Sequence, residues 1–316
     1  MAPVETHSIP SPFGLLSVLH QAPPTVGGRE PPVVLYVHGA TFPAALSVAW
    51  QQDNESWMGA LVRKGLDAWA FDFAGFGRSE RFPAMHRNAP SGPPLGRLPE
   101  ALSQVEAVIA FLREKRGGAR VSLLAHSWGT MVGGAYAAQH PEAIERLVLF
   151  GPIAQREEDG APPPVPAFLD ISLAYQWERF QADVPTGQHP VLSRAAFAAW
   201  GAAYLATDPT NETRKSSSVR IPAGPMADIA QAHHGRFPYD PSLIRCDVLI
   251  VRGEWDTLST DQDAAWLWRR LSHARHTSDL KLSRGTHVMH LEAGRHRLFR
   301  AVAAFVRQES LEGEGL

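Results

Sequence analysis

The sequence predicts an α/β fold, with a mostly parallel central sheet flanked by helices and an inserted helical cap. Apolar runs of strand length alternate with helical stretches through most of the chain. Such repeated strand–helix units form parallel sheets wrapped by helices. The alternation stops between residues 152 and 240, where a charged, proline-rich linker precedes aromatic-rich helical pieces. We therefore assign residues 1–151 and 241–316 to the core and residues 152–240 to the cap.

Short apolar runs predict the first strands. Residues 13–19 form an early strand, and the continuous apolar run at 32–38 is typical of a strand buried in the middle of a parallel sheet. Gly65 closes a helix that begins near residue 54. The strand at 67–73 then leads into a glycine-punctuated turn. These elements supply the first half of the predicted sheet.

The later elements follow from the same patterns. Residues 99–115 carry apolar side chains at helical spacing, and an apolar run at 121–126 meets Ser127 and continues as a small-residue helix. A further strand is predicted at 144–150. After the inserted segment we predict strands at 246–253 and 280–282 and helices at 260–271 and 291–308.

Composition narrows the classes of partner. The chain has 316 residues, of which 44% are hydrophobic and 20% charged, as in ordinary globular proteins. Its net charge of −2 gives no electrostatic footprint for nucleic acid or for an anionic membrane, so we expect a small-molecule substrate. A single cysteine, Cys246, and the lack of zinc-site spacing predict neither an internal disulfide nor a bound metal. Without a signal-like amino terminus or a long apolar run, the expected location is cytoplasmic.

Ser127 lies between the apolar run and the small-residue helix. If the run is a strand, this serine occupies a sharp, strained turn that pushes its hydroxyl clear of the backbone. Such a turn requires small residues two positions before and after the serine. Ala125 and Gly129 fill these positions, although the usual pattern has glycine at both. The stretch predicts a nucleophilic serine.

Polar side chains follow several of the predicted strands. A serine hydroxyl needs a base to accept its proton, and that base needs a partner that fixes its tautomer. Asp256 and His287 offer a carboxylate and an imidazole, each just past a predicted strand end. Because the carboxyl ends of parallel strands share one edge of the sheet, we expect both residues near Ser127, together with His38 and Asp72.

With these residues in place, the sequence resembles the α/β-hydrolase family, in which the acid and the histidine follow the serine in this order. The resemblance covers nearly the whole chain. It rests on five motifs: His38-Gly39, Asp72-x-x-Gly75-x-Gly77-x-Ser79, Ala125-His-Ser-Trp-Gly129, Gly253-x-x-Asp256 and Gly285-x-His287.

The resemblance implies a catalytic triad of Ser127 as nucleophile, His287 as general base and then acid, and Asp256 as its orienting partner. It also implies an oxyanion hole formed by the backbone N–H groups of Ala40 and Trp128. His290, three residues after His287, is an alternative base. No cofactor is implied.

The implied reaction is acyl transfer, and the inserted segment is similar to the caps that cover the pocket in this family. Its aromatic residues either line an apolar cavity or form the core of the cap itself. A medium-sized hydrophobic ester, lactone or thioester is the leading expectation for the substrate. The predicted substrate contacts are Thr41, Phe42, His126, Trp177, Trp200 and Val288.

Other functions stay open at this stage. Ser127-Trp128-Gly129 is also similar to the proline iminopeptidases, although His38-Gly-Ala-Thr-Phe42 replaces the His-Gly-Gly-Pro-Gly loop of those enzymes. Carbon–carbon bond hydrolases share the implied triad, and a catalytically silent ligand-binding relative is an alternative from another class. The carboxylates available to hold the amine of an iminopeptidase substrate are Glu178, Asp183, Asp208 and Asp228.

Overall fold

Ten strands form two sheets in the computed structural model, which describes residues 2–24, 30–214 and 217–308. Eight strands build the central sheet, and the other two, β7 and β8, form a small antiparallel pair. The strands are β1 (Glu5–Ser11), β2 (Gly14–Gln21), β3 (Val33–Val37), β4 (Asp67–Phe71), β5 (Val121–His126), β6 (Ile144–Phe150), β7 (Phe168–Ser172), β8 (Ser218–Pro222), β9 (Asp247–Gly253) and β10 (Thr277–Leu282).

The central sheet is mostly parallel, as predicted. Its strand order is β1-β2-β4-β3-β5-β6-β9-β10. All pairs from β4 to β10 are parallel, and only the β1–β2 and β2–β4 pairs are antiparallel. Every residue of β3, β4, β5 and β9 is buried, because helices cover both faces of these strands. The apolar runs in the sequence therefore mark the interior strands.

Helices cover the two faces of the sheet. Apolar side chains of α2, α3 and α7 belong to one core cluster, and those of α1 and α8 belong to a second cluster on the other side of the sheet. In the part of the chain that the structure describes, no helix combines the length and the apolar character needed to cross a membrane. The helices are α1 (Trp57–Arg63), α2 (Leu98–Lys115), α3 (Trp128–Gln139), α4 (Leu173–Gln181), α5 (Arg194–Ala206), α6 (Gly224–His233), α7 (Asp261–Arg270) and α8 (Arg295–Arg307).

Several element boundaries differ from the sequence prediction. The first helix begins at Trp57 rather than near residue 54, because Asp53 and Asn54 adopt positive φ angles of 53° and 61° and Ser56 caps the helix by accepting from the Gly59 N–H. The last helix begins at Arg295, after a separate 3-10 turn at Met289–Leu291. Strand β1 was not predicted, nor was the β7–β8 pair. The outermost residues of the assigned core, 1 and 309–316, lie outside the described residues.

The inserted segment, residues 152–240, contains α4, α5 and α6 together with the β7–β8 pair. Its aromatic side chains pack on one another, with Trp200 centred 5.0 Å from Phe180 and 4.9 Å from Tyr204. The Trp200 indole N–H donates to the Leu46 carbonyl at 2.9 Å, and Phe42 lies edge-on to the Trp200 ring at 5.4 Å. The segment is therefore fastened to the loop that follows β3.

The start of α3 packs against the end of β3 without room for a side chain. A Cβ on Gly129 would lie 2.5 Å from the carbonyl oxygens of both Val37 and His38. Because these are backbone atoms, they do not move aside as the end of a flexible side chain does. Gly129 therefore lets the helix that follows Ser127 approach the neighbouring strand.

We expect Gly129→Ala to lower the free energy of unfolding by about 3 kcal/mol, because the new methyl group overlaps backbone atoms. The midpoint of urea unfolding, at an unchanged denaturant slope, measures this loss. Gly118→Ala is the control, since Gly118 has a φ of +85° and no atom within 4 Å of its added Cβ. The control should lose only about 1 kcal/mol from backbone strain. Equal losses in the two variants would contradict the packing argument.

Candidate active site

Ser127 sits on a tight turn between β5 and α3. Its backbone has φ 55° and ψ −126°, a conformation that residues other than glycine rarely adopt. Hydrogen bonds hold it there. The Ser127 N–H donates to the Phe150 carbonyl at 2.9 Å, and the Ser127 carbonyl accepts from the Thr130 N–H at 2.9 Å and from the Thr130 hydroxyl at 2.6 Å. Such a conformation costs about 1–3 kcal/mol and persists only when its surroundings enforce it.

Three side chains from distant parts of the chain form one hydrogen-bonded row. His287 Nε2 lies 2.8 Å from Ser127 Oγ, and His287 Nδ1 lies 2.9 Å from Asp256 Oδ2 and 3.0 Å from Oδ1. Ser127, Asp256 and His287 are only 5%, 5% and 4% exposed. The structure thus brings together the three residues that the sequence analysis singled out.

The hydrogen bonds of Asp256 determine which nitrogen of the His287 ring carries the proton. Its Oδ1 also accepts from the N–H groups of Leu258 and Ser259, both at 2.9 Å, so this carboxylate acts as an acceptor throughout. His287 Nδ1 must then carry the proton that it donates to Asp256. His287 Nε2 is left as the acceptor for the Ser127 hydroxyl.

Gly151, just after β6, packs against this row of side chains. It has a φ of +54°, and a Cβ there would lie 3.1 Å from the His287 ring and 3.2 Å from Asp256 Oδ2. The Gly151 N–H donates to the Val251 carbonyl at 2.8 Å. A side chain at this position would press on the imidazole, so glycine serves here both for its backbone angle and for its small size.

Two further histidines, His126 and His290, lie near Ser127 and His287 and form their hydrogen bonds with other groups. His126 Nε2 lies 3.0 Å from the His287 carbonyl oxygen and donates to it. His290 Nε2 lies 2.9 Å from Ser47 Oγ, and its ring stands edge-on to His126 at 4.7 Å. Burial lowers the pKa of His126 well below 6.5 and that of His290 to about 3, so both rings are neutral. The Ser127 hydroxyl therefore forms its hydrogen bond with His287 and not with His290.

Asp183, in the inserted segment, contacts the loops that carry both His287 and Asp256. Its Oδ2 accepts from the His287 N–H at 3.2 Å, and its Oδ1 accepts from the Thr257 hydroxyl at 2.5 Å. The sequence analysis considered Asp183 only as a possible partner for a substrate amine. The structure shows that this carboxylate instead bridges the two loops.

A buried carboxyl group supports the His287 loop from the other side. Glu292 is 1% exposed, and its carboxyl group accepts from the N–H and the hydroxyl of Thr286, the residue before His287. Burial raises the pKa of Glu292 from its usual value of 4.5 to about 7. Sequence reasoning did not identify this residue, because a lone glutamate near a helix start carries no visible signal.

Two backbone N–H groups flank Ser127. Among the described residues, no group accepts a hydrogen bond from the N–H of Ala40 or of Trp128. Trp128 is the first residue of α3, where N–H groups have no partner within the helix. Gly39 packs against the serine, since a Cβ on Gly39 would lie 3.0 Å from Ser127 Cβ. Two donors are therefore available on the residues next to Gly39 and Ser127.

Hydrogen bonds shape the loop that carries Ala40. His38 Nδ1 donates to the Gly39 carbonyl at 2.7 Å, and His38 Nε2 accepts from the Phe73 N–H at 3.0 Å. Burial lowers the pKa of His38 to about 4, so this ring is neutral. The Asp72 carboxylate accepts from the Ala44 N–H at 2.8 Å. His38 and Asp72 hold loops in place and do not face Ser127.

A cavity of about 90 Å³ opens at Ser127. Four of the six predicted substrate contacts line it, namely Thr41, Phe42, His126 and Val288. Trp177 and Trp200 are not among its described lining residues. Both pack on Phe197, and Trp200 also contacts Phe42 and Leu46. The segment supplies other residues to the wall: Ile153, Arg179, Phe180, Met226 and Ile229.

The acidic residues considered for holding an amine are engaged elsewhere or exposed. Asp228 accepts from the Trp128 indole N–H at 3.1 Å and from the Leu98 N–H at 2.8 Å, and it pairs with Arg97. Asp208 pairs with Arg214 and is fully buried. Neither lines the cavity, and Asp183 and Glu178 are also not among its described lining residues.

One group of side chains with metal-ligand spacing lies away from Ser127, on the β1–β2 edge of the sheet. Ligand atoms of Glu5, His7 and His20 lie within 4.8 Å of one another, and Asp67 accepts from His20 Nε2 at 2.8 Å. The sequence analysis missed this group because only the pairing of Glu5 with His20 across the two strands brings it together.

Comparison with known proteins gives a family and a set of similar folds. Residues 32–293 match a family model described as alpha/beta hydrolase fold. A cis-3-alkyl-4-alkyloxetan-2-one decarboxylase from Shewanella oneidensis is 33% identical over 72 residues. That match spans 23% of this chain and 22% of the length of the decarboxylase.

Two solved structures resemble nearly the whole chain. A 2-hydroxy-6-oxo-6-phenylhexa-2,4-dienoate hydrolase from Rhodococcus sp. strain RHA1 has a TM-score of 0.65 at 17% identity, covering 98% of this chain and 100% of that one. The thioesterase domain from the curacin biosynthetic pathway has a TM-score of 0.63 at 20% identity, covering 97% and 100%. At these identities the similarity establishes a shared fold.

We expect Glu292→Gln to change how stability depends on pH. The folded-state pKa of about 7 lies above the ordinary value of 4.5, so between these values the folded protein holds a proton that the unfolded chain has released. The contribution of Glu292 to stability is therefore complete below pH 4.5 and is lost as the pH rises through 7. Glutamine stays neutral over this whole range.

The stability of the wild type minus that of Glu292→Gln should consequently fall by about 1–3 kcal/mol between roughly pH 4.5 and 8. Urea unfolding of both proteins at a series of pH values measures the difference, and the titration of all other groups cancels in it. A difference that stays constant or rises with pH would contradict the assignment.

Proposed function

The chain belongs to the α/β-hydrolase fold family, and from this premise we propose that it is a serine hydrolase that cleaves a carboxylic ester, lactone or thioester through an acyl-enzyme. The observation that carries the proposal is the hydrogen-bonded row of Ser127, His287 and Asp256. A serine hydroxyl 2.8 Å from an imidazole nitrogen that can accept its proton has the arrangement needed for nucleophilic attack.

In the acylation step, Ser127 Oγ attacks the substrate carbonyl carbon while its proton passes to His287 Nε2. The bond from that carbon to the leaving oxygen or sulfur then breaks, and the leaving group takes the proton from His287. In deacylation, water loses a proton to His287 Nε2 and attacks the acyl carbon. The bond to Ser127 Oγ breaks, the proton returns to Oγ, and a carboxylic acid is released.

Asp256 serves this cycle by keeping the imidazole in the required tautomer. Its charge stabilises the imidazolium that exists after each proton transfer. We propose that the N–H groups of Ala40 and Trp128 form the oxyanion hole that binds the negatively charged carbonyl oxygen. The contact of Gly39 with Ser127 supports this role, as does the presence of both Ala40 and Ser127 in the cavity wall.

We propose that the inserted segment acts as a cap and selects the substrate. It contributes Phe180, Met226 and Ile229 to a largely apolar wall. The cavity beside Ser127 has a volume of about 90 Å³. The apolar lining beside Ser127 supports the expectation of a hydrophobic acyl group.

The cavity disfavours the aminopeptidase alternative. No carboxylate is among its described lining residues, and Arg179 places a positive charge in its wall. A substrate ammonium group would be repelled there and would find no acidic partner. A carbon–carbon bond hydrolase would use the same row of residues, so the chemical nature of the cleaved bond is a matter for direct assay.

We expect Ser127→Ala to lower kcat for a short-chain p-nitrophenyl ester by about 10⁴- to 10⁶-fold, because the nucleophile is lost. A fluorophosphonate probe should label the wild type at Ser127, as located by mass spectrometry of the labelled peptide. Ser122→Ala is a matched control, since Ser122 is a buried serine of β5, the strand that precedes Ser127. It should keep its labelling. Failure to label folded wild-type protein would favour the silent ligand-binding alternative.

A second comparison separates esterase from aminopeptidase activity. We expect the wild type to hydrolyse p-nitrophenyl esters of short acids and to leave prolyl and alanyl p-nitroanilides intact, because nothing in the described cavity wall holds an ammonium group. Release of p-nitrophenol and of p-nitroaniline is followed with equal enzyme concentrations. Faster turnover of the aminoacyl anilides would overturn the preference for esters.

A further inference from the structure

Arg179 is the feature of the cavity that acyl transfer does not require. It lies near the end of α4, is partly buried, and lines the same cavity as Ser127 and His287. Within the described part of the chain, no carboxylate lies within ion-pair distance of Arg179 and no hydrogen bond engages it. A partly buried cation without a counter-charge loses hydration and gains nothing in return.

Three other arginines of the inserted segment have their charge neutralised by a carboxylate. Arg156 pairs with Asp263 at 2.8 Å, Arg214 pairs with Asp208 at 2.6 Å, and Arg220 pairs with Asp170 at 2.8 Å. In each case the guanidinium meets a carboxylate of the protein itself. Arg179 differs because its surroundings in the cavity supply no such group.

The charge of Arg179 acts on the residue that precedes Ser127. Burial is the main cause of the lowered pKa of His126, but the positive charge of Arg179 contributes to it. His126 directly precedes Ser127 and donates a hydrogen bond to the His287 carbonyl. An anionic group bound by Arg179 would therefore lie within the same small cavity as the acyl carbon.

The remaining wall defines what the anion must be attached to. Phe42, Phe180 and Val288 belong to an apolar lining that suits a short hydrocarbon chain. The planar guanidinium fork matches a carboxylate, with which it can form two parallel hydrogen bonds.

We propose that Arg179 binds a carboxylate carried by the acyl part of the substrate, so that the preferred substrates are monoesters or monothioesters of short dicarboxylic acids. This inference rests on the proposed serine hydrolase function and specifies its substrate class. The apolar wall contacts the methylene groups between the two carboxyl carbons, and Arg179 fixes the far end while Ser127 attacks the near end.

The test compares two esters of the same shape and different charge. Mono-p-nitrophenyl glutarate ends in a carboxylate, and p-nitrophenyl 5-methylhexanoate ends in a branched dimethyl group of similar outline. The quantity measured is the ratio of kcat/KM for the two esters, after subtraction of the rate seen with Ser127→Ala, which removes spontaneous hydrolysis. The wild type should prefer the glutarate ester.

Arg179→Met should lower the kcat/KM for the glutarate ester by about 10- to 100-fold while leaving that for the neutral ester unchanged. Arg179→Lys keeps the charge without the planar fork and should lie between the wild type and Arg179→Met. Arg236→Met is the matched control. It removes an exposed arginine of the same segment that does not line the cavity, and it should keep the wild-type ratio.

Two results would overturn the inference. The first is a wild type that hydrolyses both esters without preferring the charged one. The second is an Arg179→Met variant that loses both activities equally, which would assign Arg179 a structural role.

If the wild type hydrolyses neither ester, the proposed function fails and a binding measurement decides the anion site separately. Calorimetric titration with glutarate is then carried out on the wild type and on Arg179→Met. Binding to the wild type that is lost in the variant supports the carboxylate site. Absence of binding, or equal binding to both, overturns it.

Discussion

The hydrogen bond between His287 Nδ1 and the Asp256 carboxylate is the interaction on which the proposed chemistry depends. It joins the loop after β10 to the loop after β9, and these strands are neighbours in parallel register. Because both loops leave from the same edge of the sheet, the two side chains meet in space although they are 31 positions apart in the sequence. The bond leaves His287 Nε2 free to accept from Ser127, so the order of strands in the sheet determines the proton arrangement at the site.

The same edge of the sheet maintains an unfavourable backbone conformation. Ser127 keeps its positive φ because its N–H and carbonyl groups are bonded to Phe150 and Thr130, and because glycine at position 129 lets α3 approach β3. These contacts together hold the turn in the conformation that directs the hydroxyl toward His287. The small residues around Ser127 are therefore part of the site, although none of them takes part in the chemistry.

Sequence reasoning predicted the fold class and the strands of the sheet interior because continuous apolar runs have a simple physical cause: burial on both faces. It also found residues at strand ends, since the geometry of a parallel sheet brings those ends together. It missed β1 and the β7–β8 pair, whose alternating or mixed residues carry a weaker pattern. It assigned Trp177 and Trp200 to the substrate, and a sequence cannot tell whether an aromatic side chain faces a cavity or the interior of its own segment.

Two residues of the inserted segment have contacts that the sequence did not predict. Asp183 accepts from the His287 N–H, and Arg179, four residues earlier, lines the cavity. One short stretch thus contacts the His287 backbone and adds a charge to the cavity at Ser127. If this stretch moved away from the core, His287 would lose a backbone contact at the same moment that the cavity lost its cation. The residue that adds a cation to the cavity and the residue that contacts the His287 N–H therefore belong to the same short stretch, so recognition by Arg179 and alignment of the proposed base depend on one element of the structure.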